Sequence, residues 1–186
     1  MRLSKKERQK KLSLAWEAEP FLTDEEMARR LHVSIQTIRL DRMELGIPEL
    51  RDRIKDMAEN NFDRVRSLHP EEVIGEVTEL TLDDSGVSVL KIREEHVFAR
   101  NGIARGHHLF AQANSLAIAV VDAETALTAT AGLRFVRPVR LGEKCVARAR
   151  VTQKKGNRTQ LDVRTSVGDE VVFQGVFDVH RTKEDQ

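Results

Sequence analysis

Residues 101–121 read NGIARGHHLFAQANSLAIAVV, and their pattern decides what has to surround them. A glycine-flanked turn carrying Arg105, His107 and His108 runs into a segment with no Asp, Glu, Lys or Arg before Asp122. A helix over roughly 107–122, uncharged for about four turns, has to be buried on most sides. The segments around it supply the cover. VIGEVTELTL, VSVLKI, KCVARARVT, TQLDVRTSV and EVVFQGVFDV alternate with a period of two, which predicts strands. Turn signals separate them at 83–86 (DDSG), 154–157 (KKGN) and 167–170 (VGDE). The spacing predicts hairpins, an antiparallel sheet and a single helix as its filling, an α+β fold.

Bulk composition narrows the classes. The chain has 186 residues, 40% hydrophobic and 33% charged. No apolar run approaches the roughly 20 residues of a membrane helix, and the basic N-terminus lacks the apolar core of a signal peptide. No membrane partner is expected. The single cysteine, Cys145, excludes an internal disulfide, so the cytoplasm is the expected location. Cys145 alternates with Ala147, Ala149 and Val151 and reads as a small core residue. The net charge of +1 hides an uneven layout, because the first eleven residues hold Arg2, Lys5, Lys6, Arg8, Lys10 and Lys11 against Glu7 alone. That arm is either a contact for a polyanion or a solvated terminus.

Before residue 60 the texture is helical. In LTDEEMARRLHVSIQTIRLDRMELGI, Thr23 can cap a helix whose first-turn acids suit its positive end. Ala28 and Leu31 mark its inner face, HVS makes a short turn, and Ser34 can cap the next helix. Ile38 and Leu45 share an apolar stripe there, and Gly46-Ile47-Pro48 ends it. Two short helices joined in this way form a helix-turn-helix. Ser34, Gln36, Thr37, Arg39 and Arg42 are the expected DNA contacts, since side chains on such a helix reach base edges and phosphates in a major groove. The stretch SIQTIRLD resembles the recognition helix of bacterial repressors. An ordinary helical hairpin with a polar outer face is the alternative. PELRDRIKDMAENN follows as an amphipathic helix with Leu50, Ile54, Met57 and Ala58 on one face. The expected organisation is therefore a helix-turn-helix over 1–47, an amphipathic linker over 48–72 and an effector-binding domain over 73–186.

The order of strand, helix and long antiparallel strands resembles the hotdog fold of thioesterases and acyl-CoA dehydratases, as does FVRPVRLGEKCVARARV. The combination of helix-turn-helix, amphipathic linker and FARNGIARGHHLFAQAN is narrower and resembles the FapR family of bacterial repressors across nearly the whole chain. The resemblance implies repression of fatty-acid and phospholipid synthesis genes by a homodimer on palindromic operator DNA, relieved by malonyl-CoA. It implies that Phe98, Arg105, Gly106 and Asn114 line the malonyl-thioester pocket. No cofactor is expected, and malonyl-CoA is the effector.

Residue chemistry runs parallel to this. Malonyl-CoA ends in a carboxylate, which a guanidinium grips through charge-assisted hydrogen bonds. The nearest acids to Arg105 in sequence are Glu95 and Glu94, so an external anion can be its partner. The alternative is a surface arginine or one paired to a distant carboxylate. Asn114 can donate to a thioester carbonyl but cannot act as a base. Between 96 and 121 there is no Asp, Glu or Cys, which leaves only His107 and His108 as possible bases. A DNA-tethered acyl-CoA thioesterase is accordingly the second reading. No metal site is expected, because the histidines lack carboxylates at ligand spacing. Lys154, Lys155 and Arg158 are candidates for the phosphates of CoA or simply a solvated turn.

Overall fold

The computed structural model describes residues 3–62 and 65–182, and the chain divides into two compact units, Met1–Asp56 and Met57–Gln186. Arg2 of the basic arm, Met1, residues 63 and 64 of the linker, and 183–186 lie outside the described residues. The first unit contains α1 (Lys5–Ala18), α2 (Asp24–Leu31) and α3 (Ile35–Glu44), and α4 (Leu50–Phe62) begins in it.

Helices α1, α2 and α3 each start where a side chain satisfies free amides. Ser4 and Glu7 form a reciprocal capping box on α1, and Thr23 and Glu26 form another on α2. Ser34 accepts from the Thr37 amide at 3.2 Å to open α3. His32, in the left-handed region at φ 52°, turns the chain between α2 and α3, and Gly46 at φ 65° ends α3. The core is Leu12, Trp16, Leu22, Met27, Ala28 and Ile38. Trp16 donates from Nε1 to the Leu22 carbonyl at 3.1 Å, while the Arg53 guanidinium lies over its ring at 5.1 Å.

The basic arm is thus, from Lys5 onward, a packed helix and not a loose terminus. Two of its charges are taken up internally. Arg8 pairs with Asp41, which is 2% exposed, and Lys5 pairs with Glu44 at 2.7 Å. Along α4, Ile54 is buried and Leu50, Met57 and Ala58 are half-buried, whereas Arg51, Asp52, Lys55 and Asp56 are exposed, as the amphipathic spacing predicts.

In the second unit, α5 (Gly106–Val120) packs on all six strands of one antiparallel sheet. In chain order these are β1 (Glu76–Thr81), β2 (Ser85–Lys91), β3 (Thr125–Phe135), β4 (Lys144–Lys155), β5 (Arg158–Val167) and β6 (Glu170–Thr182). Their order across the sheet is β1-β2-β4-β5-β6-β3, which leaves β1 and β3 as edges. Gly156 and Gly168, both at positive φ, make the tight β4–β5 and β5–β6 turns at the predicted places. β3 is the strand that alternation does not predict. Its sequence, TALTATAGLRF, has neither a large apolar face nor a polar one.

Leu109, Ala113, Leu116, Ala117, Val120 and Val121 are almost wholly shielded from solvent and meet Leu161, Val163, Phe173 and Phe177 of the sheet. The approach is closest at Gly86, where an added Cβ would lie 2.8 Å from Val120 Cγ2 and 3.1 Å from Leu116 Cδ1. The one fully buried amide of the helix, Gln112, donates to the carbonyls of Ser88 at 3.2 Å and Cys145 at 3.3 Å, which ties α5 to β2 and β4. Val120 is stiff at χ1, so it cannot swing away from a new methyl group. Gly86→Ala is therefore expected to cost about 1–3 kcal/mol of unfolding free energy. The loss should show as faster hydrogen exchange of the α5 amides, and unchanged protection would contradict this packing.

Candidate functional site

Two places in the chain carry chemistry beyond folding, the start of α5 and the outward face of α3. The polypeptide reaches α5 through a short 3-10 turn at Glu94–His96 and a loop closed by a bridge between Val97 and Ala104. Phe98 and Arg105 flank that bridge. The Phe98 amide donates to the Ile103 carbonyl at 2.9 Å, and its ring is 52% exposed. Arg105 is the residue at the N-cap, yet its side chain caps nothing. Its amide donates to the His96 carbonyl at 2.9 Å, and its Nη2 donates to the Glu95 carbonyl. Its Nε is buried without a hydrogen-bond partner. Among the described residues no carboxylate lies within ion-pair distance of Arg105. An uncapped helix start adjoining a cation short of an acceptor favours an anion.

Gly106 follows directly, and a Cβ there would sit 3.0 Å from the Phe135 ring. The glycine thus admits an aromatic ring from the end of β3 against the helix start. Asn114 lies about two turns further along α5, half-buried, and its Oδ1 accepts from the Thr128 hydroxyl of β3 at 2.7 Å. With its oxygen occupied, Asn114 has its amide donors left over. Of the four predicted pocket residues, Arg105 and Gly106 are neighbours at one helix end, Asn114 lies on the same helix, and Phe98 is on the loop leading in.

Sequence reasoning does not single out Phe135, Thr128 or the full role of His108. The His108 ring lies 4.1 Å from that of His107 and 4.8 Å from that of His96, centroid to centroid, and its Nε2 is buried without a partner. Burial first, and then the charges of His107, His96 and Arg105, hold its imidazole below the ordinary histidine value. Only the adjacency of His107 and His108 hints at this cluster in the sequence.

Nothing here resembles a nucleophile with its base. Cys145 is fully buried, and burial pushes its thiol up to about 12, so it stays protonated as a core residue. Among the described residues no group of three His, Cys, Asp or Glu side chains could hold a metal. Lys154 pairs with Asp83 at 2.7 Å and is occupied, while Lys155 and Arg158 are exposed.

On α3, Gln36 and Arg39 are exposed and Thr37 is half-buried, with its hydroxyl 2.9 Å from that of Ser34. Arg42 is a correction. It is 5% exposed, bridges Asp24 at 3.2 Å and Glu49 at 3.3 Å, and donates to the Ile47 carbonyl. It falls on the same stripe as Ile38 and Leu45, so it faces inward and fastens α2, α3 and the chain after Gly46. It is not a DNA contact. Lys11, Arg30 and His32 line a cavity with Ser34 and Thr37 at the N-terminal end of α3.

Comparison with known proteins agrees with both halves. Residues 103–173 match the thioesterase superfamily. The transcription factor FapR of Bacillus velezensis is 59% identical over 99% of this chain and 100% of its own length. That of Bacillus subtilis is 58% identical over 98% of this chain and 99% of its own. The chain belongs to the FapR family of transcription factors. A virulence protein of Campylobacter jejuni regulated by sigma28 shares the fold, with a TM-score of 0.65 at 20% identity over 69% of this chain and 92% of its own. FapR-family membership makes the chain a DNA-binding transcription regulator and not an enzyme, built on a hotdog domain. Among the described residues no helix is long and apolar enough to cross a membrane.

The two kinds of α3 residue separate in experiment. Arg42→Ala, which leaves Asp24 only the longer contact with Arg39 at 3.8 Å and removes the buried fastening of α2, α3 and the chain after Gly46, is expected to cost about 3 kcal/mol of unfolding free energy in the first unit. The single tryptophan, Trp16, is its fluorescent reporter. Gln36→Ala should stay within about 0.5 kcal/mol of wild type and yet weaken DNA binding. Equal stability of the two variants would contradict the assignment of Arg42.

Proposed function

We propose that this chain represses genes of fatty-acid and phospholipid synthesis in the cytoplasm. It binds palindromic operator DNA as a homodimer and leaves when malonyl-CoA occupies the hotdog domain. One observation carries the effector reading. A guanidinium at an uncapped helix start has a buried Nε with no acceptor and, among the described residues, no carboxylate to pair with. Leaving such a donor unpaired costs on the order of 1–3 kcal/mol, which a ligand carboxylate restores. Phe98, Arg105, Gly106 and Asn114 form the proposed pocket, with Arg105 on the malonyl carboxylate and the Asn114 amide on the thioester carbonyl. Phe135 and Thr128 complete it by packing on Gly106 and orienting Asn114.

The two edges of the sheet differ in a way that supports the dimer. β1 carries Glu76 and Glu79, charges that discourage pairing with another strand. β3 runs eleven residues with Arg134 its only charge and leaves Leu127, Leu133 and Phe135 exposed. A strand of that length with a single charge is a template for a second copy. A dimer on a palindrome presents two recognition helices about 34 Å apart, or a multiple of that, and Ser34, Gln36, Thr37 and Arg39 remain the proposed DNA contacts.

The effector acts through the difference between its affinities for the DNA-competent and released states. A 100-fold preference supplies roughly 2.7 kcal/mol, enough to turn a bound population into a free one. Calorimetric titration of the purified chain should give saturable binding of malonyl-CoA. Acetyl-CoA, which lacks the carboxylate, should bind at least tenfold more weakly, as expected from the loss of one charge-assisted hydrogen bond. Equal affinities would mean that only the CoA portion is recognised and would sink the role given to Arg105.

A further inference from the structure

The outward face of α3 has a composition that phosphate contact does not explain. Ile38, Asp41, Arg42 and Leu45 point into the first unit. The opposite face carries Gln36, Arg39, Leu40 and Met43, with Leu40 52% and Met43 69% exposed. Gln36 and Leu40 are four apart, so one stands above the other on the helix, and Leu40 and Met43 form a continuous apolar strip beside them. Two adjoining hydrophobic side chains at the centre of an exposed face gain free energy when an apolar group covers them.

The surroundings indicate which occupant. Lys11, Arg30 and His32 stand about the N-terminal end of the same helix, and no acid occupies its first turn. Basic groups at the start of the helix, with an apolar strip further along its outward face, are complementary to a groove walled by phosphates whose floor offers something uncharged. In the major groove the apolar group presented by base pairs is the C5-methyl of thymine. We infer that Leu40 is a specificity-determining residue that packs on a thymine methyl of the operator, next to a base read by Gln36. The inference rests on α3 entering the major groove, and it adds the feature of the DNA that this side chain reads.

The test uses the full chain. Duplexes are first selected by it from a random-sequence pool, and each thymine of the selected duplex is then replaced singly by deoxyuridine, which deletes only the methyl group. Wild type should lose about fourfold in affinity at one thymine per half-site, the worth of one buried methyl. Leu40→Ala should bind the thymine duplex about as weakly as wild type binds the uracil one and should no longer distinguish the two. Leu40→Met should keep the discrimination. Indifference of wild type to every replacement would overturn the inference, as would a Leu40→Ala variant that still discriminates like wild type. Loss by Leu40→Ala on both duplexes, with wild type indifferent, would assign the strip to a protein contact and also overturn it. If the folded chain enriches no duplex at all, DNA binding by α3 itself fails, a result distinct from the others.

Discussion

Helix α5 has fifteen residues with no Asp, Glu, Lys or Arg among them, so it cannot rest on a sheet with one face in water; it has to be wrapped. That constraint organises the second unit. Strands on both sides of the helix in sequence join one sheet of six, and the chain after α5 returns as β3 at the far edge from β1. Gly86 lets β2 come within contact of Val120 and Leu116, and Gln112 satisfies backbone carbonyls of two strands from inside the core. Covered along most of its body, the helix can meet a ligand at its start and along the half-buried face that carries Asn114. Arg105 stands at the one part of α5 where backbone amides and a positive dipole end remain to be used.

The same wrapping sets the character of the two sheet edges. β1 is short and carries two glutamates, whereas β3 is long, nearly uncharged and contributes Thr128 and Phe135 to the surroundings of α5. On the proposed reading the edge that pairs with a second copy is also the edge that shapes the pocket. Ligand occupancy and dimer geometry then share residues, which is a physical route from binding to the spacing of two recognition helices.

Much of this is legible in the sequence because local physics repeats it. Thr23 with Glu26 and Ser34 with the Thr37 amide close helix starts that their residue types demand, and the glycines at 156 and 168 make the turns expected of them. The uncharged run after Arg105 announces a buried helix. β3 is not legible, since TALTATAGLRF lacks both a large apolar face and a polar one, and its assignment depends on pairing with β6. Arg42 misleads by its charge. Its spacing from Ile38 and Leu45 puts it on the inner stripe, but only the folded arrangement brings Asp24 to it. The contact of Phe135 with Gly106 joins positions far apart in the chain, and no local pattern encodes it.

A guanidinium whose buried Nε has no acceptor is thus the feature on which the account of regulation turns. The direct measurement is fluorescence anisotropy of labelled operator DNA bound by the full chain, titrated with malonyl-CoA, for wild type and Arg105→Ala. Wild type should release the DNA as the effector saturates, while Arg105→Ala should bind the DNA with wild-type affinity and hold it throughout. Release of Arg105→Ala at the same effector concentration as wild type would contradict the account.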